Sequence, residues 1–146
     1  MKVGIMGGTF DPIHIGHLLL GEFAYEDFGL DEIWFVPNGN PPHKETKDSE
    51  QALRNRVEMV RLAIEHIPYF KLDLSEADTT KHSYTYQTMK EFNRLYPDVD
   101  FYFILGADSL FSIEEWRFFR FLQPVRSLQQ CGMTRTFLPC VDRSCI

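Results

Sequence analysis

The chain has 146 residues, enough to bury the core of one domain, and its 44% hydrophobic content is ordinary for a globular protein. A formal net charge of −6 argues against a nucleic-acid backbone as the main ligand, and no apolar run approaches membrane-spanning length. The N-terminus opens straight into a strand pattern rather than a signal peptide, so a cytoplasmic protein with no membrane partner is expected.

Lys2 to Met6 reads as a first strand, followed by a tight turn at Gly7-Gly8. Gly16 to Phe28 has helical spacing, with Leu19, Leu20, Phe23, Ala24 and Phe28 as its apolar stripe and Gly29 as the C-cap. Glu32 to Val36 forms a second strand, and Asn38 to Ser49 a long polar loop containing Gly39, Pro41 and Pro42. Ser49 caps a helix running through Ile67, supported by Leu53, Val57, Val60 and Ile64 and stopped by Pro68. Arg54, Arg56 and Arg61 share that helix with Glu50, Glu58 and Glu65, the pattern of a solvated, salt-bridged face. Phe70 to Leu74 is a third strand, Tyr84 to Tyr96 a helix, and Phe101 to Leu105 a continuous apolar strand of the buried parallel type. Strands alternating with helices predict an α/β fold, a Rossmann-like parallel sheet flanked by helices, with ligands at the carboxyl ends of its strands. Gly7 and Gly106 each follow such a strand, so two separate stretches predict the same binding edge.

The segment Gly7-Gly8-Thr9-Phe10-Asp11-Pro12-Ile13-His14-Ile15-Gly16-His17 carries most of the chemistry. Strand, glycine turn and helix start are the parts of a phosphate site, because glycine lets backbone approach an anion and a helix N-terminus presents N–H groups and a positive dipole end. The spacing of His14 and His17 puts both imidazoles on one face of the first turn, aimed at whatever the glycines hold. A generic βα turn or a metal-binding histidine pair are the competing readings. Zinc, however, would want further ligands at suitable spacing, and His43, His66 and His82 are scattered singly.

The pattern G-G-T-F-D-P-x-H-x-G-H resembles the signature of nucleotidylyltransferases, and in this form that of the bacterial nicotinate-mononucleotide adenylyltransferases. The resemblance continues through Pro41-Pro42-His43-Lys44, Ser83-Tyr84-Thr85 and Gly106-Ala107-Asp108-Ser109 to Trp116. It implies attack by the phosphate of nicotinate mononucleotide on the α-phosphate of ATP, with Mg²⁺ accompanying ATP. By resemblance His14 and His17 donate to the transferring phosphate. The backbone of Gly7, Gly8, Thr9 and Phe10 lines the phosphate groove beside Gly106, and Lys44 meets substrate phosphate. Asp108 accepts from ATP ribose hydroxyls, Thr85 belongs to a helix start that meets the nicotinate carboxylate, and Trp116 stacks on the nicotinate ring. Ser83 and Thr85 also read as ordinary helix caps. Tyr86 and Gln87 stand where the family has an aliphatic residue and Asp. A pantetheine-phosphate enzyme or a class I tRNA synthetase fragment is the alternative family; Trp116 and Ser83-Tyr84-Thr85 argue against the first, the acidic balance against the second.

The resemblance covers residues 1 to 116, the expected catalytic core, and stops there. Residues 1 to 116 hold 20 acidic and 10 basic residues, whereas 117 to 146 hold five Arg and one Asp together with all three cysteines, Cys131, Cys140 and Cys145. Residues 122 to 146 show no clear strand or helix period, and the family's Ile-Ser-x-Thr-x-x-Arg helix start is missing. Under chosen but permissible codons, an adjacent reading frame from Gln123 gives Ala-Ala-Cys-Thr-Ile-Leu-Ala-Ala-Met-Arg-Asp-Asp-Lys-Asp, a buried strand followed by a charged loop. A frameshifted tail, a fold incomplete at its C-terminal end and an inactive remnant retaining partial nucleotide binding are the corresponding expectations.

Overall fold

The computed structural model describes residues 1–40 and 49–106 and the strand backbone of 136–139. In chain order these form β1 (Lys2–Gly8), α1 (Ile15–Phe28), β2 (Glu32–Pro37), α2 (Glu50–Ile64), β3 (Phe70–Leu72), α3 (Thr85–Leu95), β4 (Asp100–Leu105) and β5 (Thr136–Pro139). The sheet order is β3-β2-β1-β4-β5. The first four strands pair in parallel, as the βα alternation requires, and β5 runs antiparallel along β4. β5 lies within residues 122–146, where the sequence shows no clear strand or helix period. A four-residue strand is too short to show a period of its own, and its pairing with β4 defines it.

Alternation along the strands sends side chains to two cores. Met6, Ile33, Phe35, Phe70 and Ile104 meet Ala24 of α1 and Val60 and Ile64 of α2 on one face. Val3, Ile5, Val36, Phe101, Phe103 and Leu105 meet Met89 and Phe92 of α3 on the other. Each large side chain so buried contributes about 1.5–3 kcal/mol of transfer free energy. α1 approaches the sheet through its small residues Gly21 and Ala24; a Cβ at Gly21 would lie 3.0 Å from the Phe70 ring. That contact line leaves Leu19 47% exposed and brings Leu18, Leu20 and Tyr25 inward, so Leu19 does not belong to the stripe the sequence assigned it.

The punctuation follows local chemistry. Gly29 ends α1 at φ +56°, the left-handed C-cap conformation that costs glycine nothing, and the Leu30 N–H closes the helix on Tyr25 O at 3.1 Å. Ser49 Oγ accepts from the Ala52 N–H at 3.1 Å to start α2. α2 stops at Ile64 rather than Ile67, with one further turn closed by the Ile67 N–H on Ile64 O. β1 also outruns its expected end. Gly7 pairs with Val36 and Gly8 with Pro37, so the glycines extend the strand and the turn falls at residues 9–14. β2 supplies a ladder partner there, and pairing requires backbone, not side chain.

Candidate active site

β1 feeds α1 and β2 on one side and lies beside β4 on the other, so the carboxyl ends of β1 and β4 flank the point where the strand order reverses. Ile5 is level with Phe103, and that register carried three residues on sets Gly8 level with Gly106. A Cβ on Gly7 would meet nothing nearer than the Phe103 ring at 3.7 Å, ordinary contact. Packing therefore does not demand glycine at position 7, and its exposed backbone faces open space.

Past Gly8 the chain turns through Phe10 at φ +47° and a cis Asp11–Pro12 bond. The Phe10 side chain, 2% exposed, pins this turn to the core, its ring 5.8 Å from Phe35 and edge-on to His17 at 5.1 Å. His14 is the N-cap of α1. Its N–H donates to His17 Nδ1 at 3.2 Å, the His17 N–H donates to His14 O at 3.0 Å, and the two rings lie 3.9 Å apart. A Nδ1 that accepts leaves the proton of a neutral ring on Nε2, so His17 presents a donor beside the helix N-terminus. No acidic side chain occupies the first turn of α1. The paired imidazoles and the glycine strand end thus lie together at the N-terminus of α1 as one donor-rich edge.

Three residues that sequence reasoning missed hold this edge. Arg56 is 2% exposed, not solvated; its guanidinium donates to Thr9 O and, at 3.1 Å, to Asn38 O. Asn38 joins β2 to its surroundings: its N–H donates to Gly8 O at 2.8 Å and its Nδ2 to Glu76 Oε2 at 3.1 Å. Glu76, also buried, accepts from Thr88 Oγ1 of α3 as well. Arg54 and Arg61 do form the expected exposed pairs with Glu50, Glu58 and Glu65. The signal for Arg56 was present: it stands three residues after Leu53 and four before Val60, on the inward stripe of α2. Glu76 lies in a loop, where no period could reveal it.

Burial pushes the Glu76 carboxyl above its ordinary value of 4.5, outweighing the two hydrogen bonds that favour its charge. The folded chain then holds this proton to higher pH than the unfolded chain does. The associated stability is complete below pH 4.5 and is lost as pH rises through the folded value. Glu76→Gln keeps an oxygen for Asn38 and turns its amide to the Thr88 hydroxyl, so its melting temperature should gain on the native chain as pH rises from 4 to 8. Parallel melting curves would exclude this assignment.

α3 begins at Thr85 with Tyr84 as N-cap and no side-chain cap. The Gln87 and Thr88 N–H groups return to Tyr84 O, while the Thr85 N–H has no acceptor among the described residues. Ser83 does not cap the helix; its Oγ donates to Glu76 O at 3.3 Å. The structure thus brings together Gly7, Gly8, Thr9, Phe10, His14 and His17, sets Gly106 on the neighbouring strand end, and ties the start of α3 to this edge through Glu76 and Asn38. His43, Lys44, Asp108 and Trp116 lie outside the described residues, as do the three cysteines. Among the described residues no group of three or more His, Cys, Asp or Glu gathers to hold a metal, and no helix is long and apolar enough to cross a membrane.

The cytidylyltransferase-like family model matches residues 5–144. The chain belongs to this family. Nicotinate-nucleotide adenylyltransferase of Bacillus subtilis (strain 168) is 46% identical over 115 residues, which are 79% of this chain and 60% of that protein. A Plasmodium falciparum nicotinic acid mononucleotide adenylyltransferase complexed with NaAD superposes with a TM-score of 0.67 at 26% identity, over 81% of this chain and 58% of the other. This member of the cytidylyltransferase-like family therefore spans about 60% of the length of the curated relatives it matches. The Rossmann-like fold expected from the sequence is the fold these relatives share.

Proposed function

We propose that this chain carries the adenylyl-transfer site of a nicotinate-nucleotide adenylyltransferase. A phosphate oxygen of nicotinate mononucleotide bonds to the α-phosphorus of ATP, the bond from that phosphorus to the bridging oxygen breaks, and pyrophosphate leaves with the electron pair. The products are nicotinate adenine dinucleotide and pyrophosphate, a step of NAD biosynthesis in the cytoplasm. The observation that carries the reading is the donor-rich edge where β1 ends and His14 and His17 open α1, in a chain whose relatives bear that enzyme's name.

The attacking phosphate is already anionic, so no protein nucleophile is needed and catalysis is positioning plus neutralisation of growing charge. The strand-end backbone of Gly7 and Gly8 with Thr9 and Phe10 receives the ATP phosphates. His14 and His17 donate to the transferring phosphate, and Gly106 leaves the neighbouring strand end bare. The uncapped start of α3 at Thr85 offers amide donors to the nicotinate carboxylate. Lys44 contacts phosphate, Asp108 the ATP ribose and Trp116 the nicotinate ring. Bound with the ATP substrate, Mg²⁺ would offset the charge of its phosphates.

We further propose that residues 117–146 are read from a shifted frame. The charge and cysteine content change abruptly there, and under permissible codon choices an adjacent frame reads as a buried strand. Verified genomic DNA should show a missing or extra base near codon 121; an intact frame overturns this. The functional test is an assay of dinucleotide and pyrophosphate formation by this chain beside its frame-corrected form. Nicotinate mononucleotide, nicotinamide mononucleotide and pantetheine phosphate serve as competing acceptors. Turnover by the corrected form with the nicotinate acceptor is expected. Preference for pantetheine phosphate, or no turnover by the corrected form, overturns the reading.

A further inference from the structure

We propose that Arg56 is a positioning residue that fixes the orientation of the Thr9–Phe10 peptide and so aims the Phe10 N–H at the nucleotide phosphates. A buried arginine is costly unless its donors find acceptors, and here Nη1 donates to two backbone carbonyls from different strand ends. One of the two is Thr9 O, in the turn that leaves β1. The Thr9–Phe10 bond is trans, so its C=O and N–H point in opposite directions. With the carbonyl held inward against α2, the Phe10 N–H must point away from α2. Among the described residues that N–H meets no acceptor, whereas the Gly8 and Thr9 carbonyls beside it are both paired.

Two further observations show that the peptide needs holding. Phe10 sits at φ +47°, a region a bulky residue rarely adopts unassisted. Its ring, locked between Phe35 and His17, fixes the side chain but leaves the preceding peptide free to rotate. Arg56 removes that freedom. Because the same guanidinium also grips Asn38 O, the turn after β1 and the end of β2 are held in register with each other. A peptide flipped at this point would present a carbonyl oxygen, not an N–H, to an incoming phosphate.

The inference rests on the adenylyl-transfer reading, and its test separates the two. Labelling threonine carbonyls with ¹³C and phenylalanine nitrogens with ¹⁵N selects only the Thr9–Phe10 and Thr136–Phe137 peptides, and Phe137→Leu identifies the second. Without ligand, Arg56→Gln should displace or broaden the Phe10 signal. Arg56→Lys, whose ammonium still reaches one carbonyl, should do so less and serves if the glutamine variant fails to fold. With ATP, the native Phe10 signal should move, and the folded variants should bind ATP about tenfold more weakly, the equivalent of about 1.4 kcal/mol. An unmoved Phe10 signal in both folded variants, or native ATP affinity in both, overturns the proposal. A Phe10 signal displaced in the Arg56 variants, in a protein whose native chain binds no ATP, overturns the nucleotide reading instead.

Discussion

His17→Asn is expected to lower the adenylyl-transfer kcat of the frame-corrected chain by about 10²–10³-fold while leaving its melting temperature unchanged. The ring of His17 does two things at once. Nδ1 accepts the His14 N–H and so helps start α1, while under the proposed reaction Nε2 carries the proton offered to the reacting phosphate. Asparagine keeps an acceptor near the Nδ1 position but is too short to place a donor where Nε2 lies. His17→Ala removes both functions, so it should lose the same activity and, in addition, about 1 kcal/mol of stability from the helix start. Charge grows on the transferring phosphate only as the bond to pyrophosphate loosens, so kcat and kcat/KM should fall together while the KM for ATP moves little. Native kcat in His17→Asn would remove the ring from the chemistry and leave it a helix-capping group.

How far the sequence reveals this site depends on which physical rule places each residue. Ser49 and Gly29 are set by local capping rules, and each lies where those rules put it. Each parallel strand begins within a residue of its expected start, although β1 runs longer and β3 shorter than expected. The histidine pair is legible for the same reason, since a spacing of three on a helix start fixes both rings without tertiary help. Gly7 and Gly8 mislead locally: as glycines they read as a turn, yet β2 extends the ladder across them. Arg56 shows the limit of charge patterning. Three arginines and three glutamates on one helix read as a single solvated face, although position 56 shares its inward stripe with Leu53 and Val60. What recruits it is the carbonyl of Thr9, forty-seven residues away, which no helical pattern can announce. Glu76 and Asn38 are more hidden still, being loop residues whose partners come from β1, α2 and α3.

That same loop junction should make Gly39→Ala the most destabilising conservative change near the site, at a cost of about 3 kcal/mol and roughly 10 °C in melting temperature. A Cβ there would lie 2.6 Å from both the N and O of Asp78 and 2.7 Å from its carbonyl carbon. These are backbone atoms, with no flexible side-chain end to give way. Nor can the 76–78 segment retreat cheaply. Glu76 O accepts the Gly39 N–H at 2.9 Å, the Asp78 N–H at 2.8 Å and Ser83 Oγ, while the Glu76 carboxylate is held by Asn38 and Thr88. Moving it would unseat the start of α3, so the residual folded Gly39→Ala should show a raised KM for nicotinate mononucleotide more than for ATP. Gly7→Ala provides the contrast. Its Cβ finds only ordinary contact with Phe103, so the fold should survive within about 1 kcal/mol. Any loss of ATP binding there would come from a methyl group standing in the phosphate groove. The two glycines thus separate close packing from ligand approach: thermal denaturation should single out Gly39→Ala, and ATP titration Gly7→Ala. A stable Gly39→Ala would mean that the 76–78 backbone is far more yielding than its hydrogen bonds allow, and native ATP affinity in Gly7→Ala would move the phosphates away from the end of β1.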